Sequence, residues 1–202
     1  MKFSIIIIGY NQKDIICDAI RSALEQSYWD IEVIYVDDAS TDGSIEYIKS
    51  NFTDERLRIV QGERNRGSVV SRLLGIKEAR GDWCLLVDGD DTLCLNACEV
   101  LAKTIAEQDE NINIIGYGAN IICSESVPSD TKKWMESMAG EPLLGLHTSE
   151  ELLQIQYGKR EKAWLLWNKC FKREVLQAAE SAAVYETFYR LTDYYLRFLA
   201  FC

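Results

Sequence analysis

Residues 85–87 are apolar and lead straight into Asp88, Asp90 and Asp91, three carboxylates within four positions. A buried strand that ends this way drops its acids into a cleft. Three acids cannot share a dry cleft as bare anions: either one is protonated or a cation sits among them. Hard oxygen ligands favour Mg²⁺ or Mn²⁺, held through one or two carboxylates with substrate phosphates completing the shell. The same letters permit another chemistry, in which Asp88 is a nucleophile that accepts a phosphoryl group. The plain alternative is a solvated acidic turn.

Three other polar clusters are candidates for the same site. Asp37 and Asp38 follow an apolar run and are followed by a polar turn through Gly43. An acid at that position can accept from a ribose hydroxyl or from a pyrimidine N–H. Asp42 is placed to cap the helix that comes next. Tyr10, in a Gly-Tyr-Asn turn, is placed to stack on a base. Asn65 and Gly67 open a helix whose first turns carry Ser71 and Arg72, and a helix N-terminus beside an arginine suits an anionic diphosphate. Neither the P-loop nor the dinucleotide glycine fingerprint is present.

The elements that must position these clusters alternate through the first half. Residues 3–8 form a continuous apolar run, which predicts a strand buried on both faces. Residues 14–26 put Ile15, Ile16, Ala19, Ile20, Ala23 and Leu24 on one helical stripe. Strands are expected at 32–36, 57–61 and 83–87, and helices at 44–51, 68–79 and 96–108. Gly81 stands where a helix-terminating glycine is expected. Four β-α units in succession imply a mostly parallel sheet with helices on both faces. Beyond residue 112 the rhythm changes. One or two strands are expected over 113–123, loop with short helices over 124–158, a strand or turn over 164–171, and helices over 174–183 and 191–201. Ligands of open α/β sheets bind beyond the carboxyl ends of the strands, so the four clusters should meet along one edge.

As a set, these segments resemble the family 2 glycosyltransferases of the GT-A fold. FSIIIIGYNQ is similar to the opening strand with its Tyr-Asn pair, and YWDIEVIYVDDASTDGS to the segment ending Asp-Asp-x-Ser-Thr-Asp. NRGSVVSRLLGIKEARGDW follows the third pattern, with Ser71 for an alanine and Leu73 for an asparagine, and LLVDGDD matches the metal-binding Asp-x-Asp. WNKCFKREVL, residues 167–176, resembles a later segment. The resemblance implies an α/β GT-A (Rossmann-like) fold, a mostly parallel central sheet flanked by helices with a smaller acceptor-side portion. Residues 1–112 would be the nucleotide-sugar-binding half and 113–202 the acceptor-side half of the same domain.

The resemblance also implies an inverting, hexosyltransferase-type reaction with Mn²⁺ or Mg²⁺ as cofactor. Tyr10, Asp38, Arg72 and Asp88 would bind the nucleotide, and Asp90 and Asp91 the metal. Asp193 would be the catalytic base, although Thr192 precedes it where the family carries glutamate; Glu186 is the fallback. The donor would be a UDP-sugar and the acceptor a saccharide or lipid-linked saccharide, in bacterial surface polysaccharide or glycoconjugate synthesis.

Two rival readings fit parts of the sequence. The sequence Asp88-x-Asp90-x-Thr92-Leu93 satisfies the opening motif of haloacid-dehalogenase-like phosphatases, but that motif normally ends the first strand of its fold. Here three β-α units precede it. A non-catalytic nucleotide-sugar-binding module is the second rival. A net charge of −10 argues against nucleic acid as a partner. Seven irregularly spaced cysteines point to reduced thiols, and the N-terminus does not read as a secretory leader. A cytoplasmic location is expected, at or near the inner face of the membrane. The apolar stretch at 196–202 leads to the expectation of a further C-terminal part that could touch the membrane surface.

Overall fold

In a computed structural model of the chain, residues 1–108, 111–139, 144–154 and 168–183 are described. Six strands, β1 (Phe3–Gly9), β2 (Ile31–Asp37), β3 (Leu57–Gln61), β4 (Trp83–Asp88), β5 (Ile114–Gly116) and β6 (Lys169–Lys172), form one sheet. Its order is β3-β2-β1-β4-β6-β5. The first four strands in the chain pair in parallel, and β6 runs antiparallel to both β4 and β5. The strand order reverses between β1 and β4, which makes their carboxyl ends the crevice where such sheets take ligands.

The reason for this arrangement lies in the apolar runs. Every residue of β1 and β2 is buried, so both need cover on two faces. On one face Phe3, Ile5, Ile7, Val33, Leu85 and Val87 pack with Ile16 and Ile20 of α1 (Ile16–Leu24) and with Cys98 and Leu101 of α4 (Ala97–Glu107). Ile48 of α2 (Ser44–Asn51) joins them. On the other face Ile6, Ile8, Ile34, Val36 and Leu86 meet Val69, Leu73 and Ile76 of α3 (Ser68–Glu78) and Leu176 of α7 (Arg173–Ser181).

The expected elements of the first half are all present, with ends moved by a residue or two. The second half differs more. Only three residues of 113–123 pair as a strand, β5. The region expected to be loop with short helices holds the eleven-residue α5 (Ser129–Ala139) as well as α6 (Ser149–Leu153). Pro128 does not break α5. It precedes the helix, where its missing N–H costs nothing, and its carbonyl accepts from Lys132 N (3.0 Å). The helix expected over 191–201 lies outside the described residues.

Gly81 has a different purpose from the one its position suggested. Helix α3 ends with Ala79 in extended conformation, and Gly81 is not among the positive-φ glycines. A Cβ at Gly81 would sit 2.6 Å from Ser4 N and 2.8 Å from Lys2 O. Glycine is needed because the α3–β4 turn lies against the backbone that enters β1.

That turn is held by a buried carboxylate. Glu32 is 5% exposed, and its Oε1 accepts from Ser4 Oγ (2.6 Å), Arg80 N (2.6 Å) and Gly81 N (3.1 Å). Arg58 Nη2 donates to Oε2 at 3.3 Å. Burial works to raise the acid constant of Glu32. The bonds from Ser4 and Arg80, with the charges of Arg58 and Lys2, outweigh it and hold the group below the ordinary carboxylate range. Between the folded and unfolded acid constants the unfolded chain binds the extra proton. This stabilisation is therefore present above the unfolded value and is lost as pH falls through the folded one. Glu32→Gln is expected to lower the unfolding free energy at pH 7 by about 1.5–3 kcal/mol, the scale of a hydrogen bond to a charged group. Urea unfolding at pH 7 and pH 3 should also show a smaller acid-induced loss in the variant; an undiminished loss would contradict this account.

Candidate functional site

All four polar clusters open from carboxyl ends of the parallel strands. The loop after β1 is stitched to the loop after β2. Asn11 N donates to Ser40 Oγ (2.8 Å), Thr41 N donates to Asn11 Oδ1 (2.8 Å), and Lys13 N donates to Asp42 Oδ2 (3.0 Å). Asn11 and Ala39 both have positive φ, 52° and 62°. For alanine this left-handed conformation costs about 1–2 kcal/mol. It is the kind of local strain that surrounding structure must hold in place.

Asp37 and Asp38 differ sharply. Asp37 is fully buried, with Oδ1 accepting from Tyr35 Oη (3.2 Å) and Oδ2 from Ser40 N (2.8 Å), so it belongs to the loop's own framework. Asp38 is also buried, and its two oxygens accept from Arg66 N (2.9 Å) and Gly67 N (2.7 Å). The acid expected to face a base thus also pins the entry to α3. Its oxygens keep lone pairs for a ligand. Tyr10 is 45% exposed at the end of β1. Asp42 does not take the capping position expected of it: Gly43 is the N-cap of α2, and Asp42, one residue earlier, accepts through Oδ1 from Ser44 N (3.0 Å) and from the Ser44 hydroxyl.

Arg72 is no surface cation. It is 4% exposed, and its Nη2 donates to Asp88 Oδ1 at 2.5 Å. The helix can bring it there because Gly75, one turn further on, lies hard against β1. A Cβ at Gly75 would stand 2.3 Å from Ile6 Cγ2. Glycine lets α3 settle closer to the sheet than alanine would allow, and Arg72 reaches the end of β4.

Asp88 is followed by a tight turn in which Asp91 N donates to the Asp88 carbonyl (3.0 Å). Asp90 points to solvent and Asp91 is half-buried. Burial, and then the charges of Asp88 and Asp90, push the Asp91 carboxyl up to about 6. Among the described residues, no group of three or more His, Cys, Asp or Glu side chains converges to hold a metal by itself. The turn nonetheless fits a divalent cation of the kind that takes one or two carboxylates and completes its shell with phosphate and water. The concentrated negative charge is what such an ion would relieve.

Three residues of this edge were not singled out beforehand. Gln12 packs its amide against Gly89: a Cβ there would meet Gln12 Oε1 at 2.1 Å, and that oxygen is buried without a hydrogen-bond partner. Asn168 and Lys169 are buried at the start of β6, and Tyr117 N donates to the Asn168 carbonyl (3.0 Å). The available signal was an Asn-Lys pair set in the otherwise apolar stretch of residues 163–171. Asp193 and Glu186, the expected base and its fallback, lie outside the described residues. No helix among the described residues is long and apolar enough to cross a membrane.

With this geometry established, the chain can be set beside known proteins. It is similar to the glycosyltransferase GlyG of Streptococcus pneumoniae serotype 4, 32% identical over 115 residues that make up 56% of this chain and 38% of GlyG. The chain spans half or less of the length of the curated relatives it matches. Its fold is similar to that of S. aureus TarS 1–349, with a TM-score of 0.76 at 24% identity over 100% of this chain and 55% of that one. TarS 1–349 is also solved in complex with UDP-GlcNAc. A mannosyltransferase of Pyrobaculum calidifontis, solved in complex with GDP-Man and Mn²⁺, aligns at TM-score 0.58 and 19% identity over 87% of this chain and 46% of its own. The α/β sheet is therefore of the GT-A type expected from the sequence. Residues 4–172 match the family described as "Glycosyl transferase family 2", and the chain belongs to that family.

Proposed function

We propose that the chain carries the catalytic core of a metal-dependent, inverting glycosyltransferase. It moves a sugar from a UDP-sugar to the hydroxyl of a saccharide or lipid-linked saccharide acceptor, in surface polysaccharide or glycoconjugate synthesis. The observation that carries this reading is the pairing of Arg72 with Asp88 at the β1/β4 crevice, behind Tyr10 and Asp38. An aspartate already ion-paired at the end of the fourth strand suits a nucleotide-and-metal clamp better than a phosphoryl-accepting nucleophile. The UDP-GlcNAc complex of the structurally similar TarS supports uracil as the base and a nucleotide-sugar as the donor.

In this reading Tyr10 lies against the base and Asp38 accepts from it. Arg72 approaches the diphosphate, and Asp88 orients both Arg72 and the ribose side of the donor. Asp90 and Asp91 hold the cation. A bound Mn²⁺ or Mg²⁺ supplies positive charge next to the departing nucleoside diphosphate. The acceptor oxygen attacks the anomeric carbon from the side opposite the leaving group, which inverts the centre, while Asp193 takes the hydroxyl proton. Residues 1–112 serve the donor and 113–202 the acceptor.

Thermal shift and titration with UDP-, GDP- and dTDP-sugars in Mn²⁺ test this directly, because a ligand that binds the native state raises its stability. Stabilisation by UDP-sugars that depends on Mn²⁺, with slow release of UDP, is the expected result. Phosphate release from simple phosphomonoesters, lost in Asp88→Asn, would overturn it. Asp90→Asn and Asp91→Asn are expected to abolish metal-dependent UDP binding while leaving the unfolding free energy from urea titration within roughly 0.5 kcal/mol of the parent. Severe unfolding of both would make these acids structural. Asp193→Asn should keep donor binding and lower transfer by a factor of about 10²–10⁴; unchanged transfer would move the base elsewhere.

A further inference from the structure

Lys169 is an ammonium-bearing residue only 3% exposed, in a short strand whose next two residues, Cys170 and Phe171, belong to the core. Cys170 packs on the α1/α4 face of the sheet and Phe171 on the α3/α7 face. Alternation along β6 therefore puts Lys169 on the Phe171 side, the face covered by α3. The antiparallel register pairs Leu85 with Cys170 and Cys84 with Phe171. One further step sets Lys169 opposite Leu86, which is on that same face.

Asp88 lies two residues beyond Leu86 and shares its face, which is why Arg72 of α3 can reach it. The β4–β6 ladder ends at the Leu85–Cys170 pair; its register continued past that pair sets Lys169 diagonal to Asp88, a relation that corresponds to about 7–8 Å between Cα atoms. The side chain also reaches toward the correct end of the sheet. Its Nζ donates to Asn168 Oδ1 at 2.5 Å, and Asn168 lies at the amino end of β6, beside the carboxyl end of β4. A buried charge at this range, inside the roughly 10 Å screening length of ordinary buffer, acts on the site without full screening by salt.

We propose that Lys169 is the second buried cation of the donor site. It is a positioning residue that, together with Arg72, favours a nucleoside diphosphate and opposes a divalent cation bound without one. This rests on the donor reading given above and adds to it a residue of the 113–202 segment.

The two effects have opposite signs, which separates the proposal from a merely structural role. Binding of UDP with saturating Mn²⁺, of uridine, and of Mn²⁺ alone would be measured on the full chain for wild type, Lys169→Met, Lys169→Gln and Lys169→Arg. Lys169→Met fills the same space without charge, and Lys169→Gln keeps a donor for Asn168. In both neutral variants UDP affinity should fall about tenfold, the scale of one charge interaction of roughly 1.4 kcal/mol. Uridine affinity should be unchanged, and Mn²⁺ alone should bind a few-fold tighter. Lys169→Arg should stay near wild type. If UDP affinity is unchanged in the neutral variants, or if UDP, uridine and Mn²⁺ all weaken together, the assignment of Lys169 is wrong. A wild-type chain that binds no UDP overturns the donor reading and this assignment with it.

Discussion

The contact between Arg72 and Asp88, at 2.5 Å, is the constraint around which this edge of the sheet is built. A guanidinium that is almost wholly buried is costly unless its partner is well placed, because the interior replaces its hydration poorly. Its placement depends on three things at once. Strand β4 must end at Asp88, helix α3 must lie flat on β1, and Gly75 must leave room for Ile6. Removing Asp88 would take from the buried Arg72 the carboxylate that faces it, whereas Asp88, 31% exposed, would keep contact with water.

The loops after β1 and β2 follow from the same crowding. Two non-glycine residues with positive φ, Asn11 and Ala39, persist because side chains from the neighbouring loop hold them. Asp38 ties this pair of loops to the start of α3 through two backbone N–H groups. A rigid frame of this kind keeps binding groups in position before a ligand arrives, and preorganisation of that sort lowers the cost of binding. The opposite end of the sheet solves a different problem. There Glu32 is compensated by hydroxyl and backbone donors and by Arg58, and it serves the fold. Buried acids thus stand at both ends of β2: Glu32 is enclosed by donors at one end, and at the other Asp37 is spent within its own loop while Asp38 pins the entry to α3.

The apolar runs alone were enough to place four strands and their helices, because strands buried on both faces leave an uninterrupted signal. The second half was less legible. Residues 113–123 are apolar enough for a longer strand, yet only β5 pairs, because its partner β6 has just four residues to offer. Gly81 shows the limit of a local rule. Its position after a helix matched a common cap, whereas its role depends on the backbone of residues 2–4, which is distant in sequence.

What the sequence determined by itself was the family, the order of the elements and the acids that end β2 and β4, since spacing along one chain carries all of these. Tertiary structure decided which of those charges are enclosed and by what. Nothing local to Arg72 says that it is buried, that Asp37 is spent within its own loop, or that Lys169 faces the same side of the sheet as Asp88. Those facts depend on register between strands that are distant in sequence and on how closely α3 approaches β1. A charge's surroundings are set by neighbours that meet only when the sheet assembles.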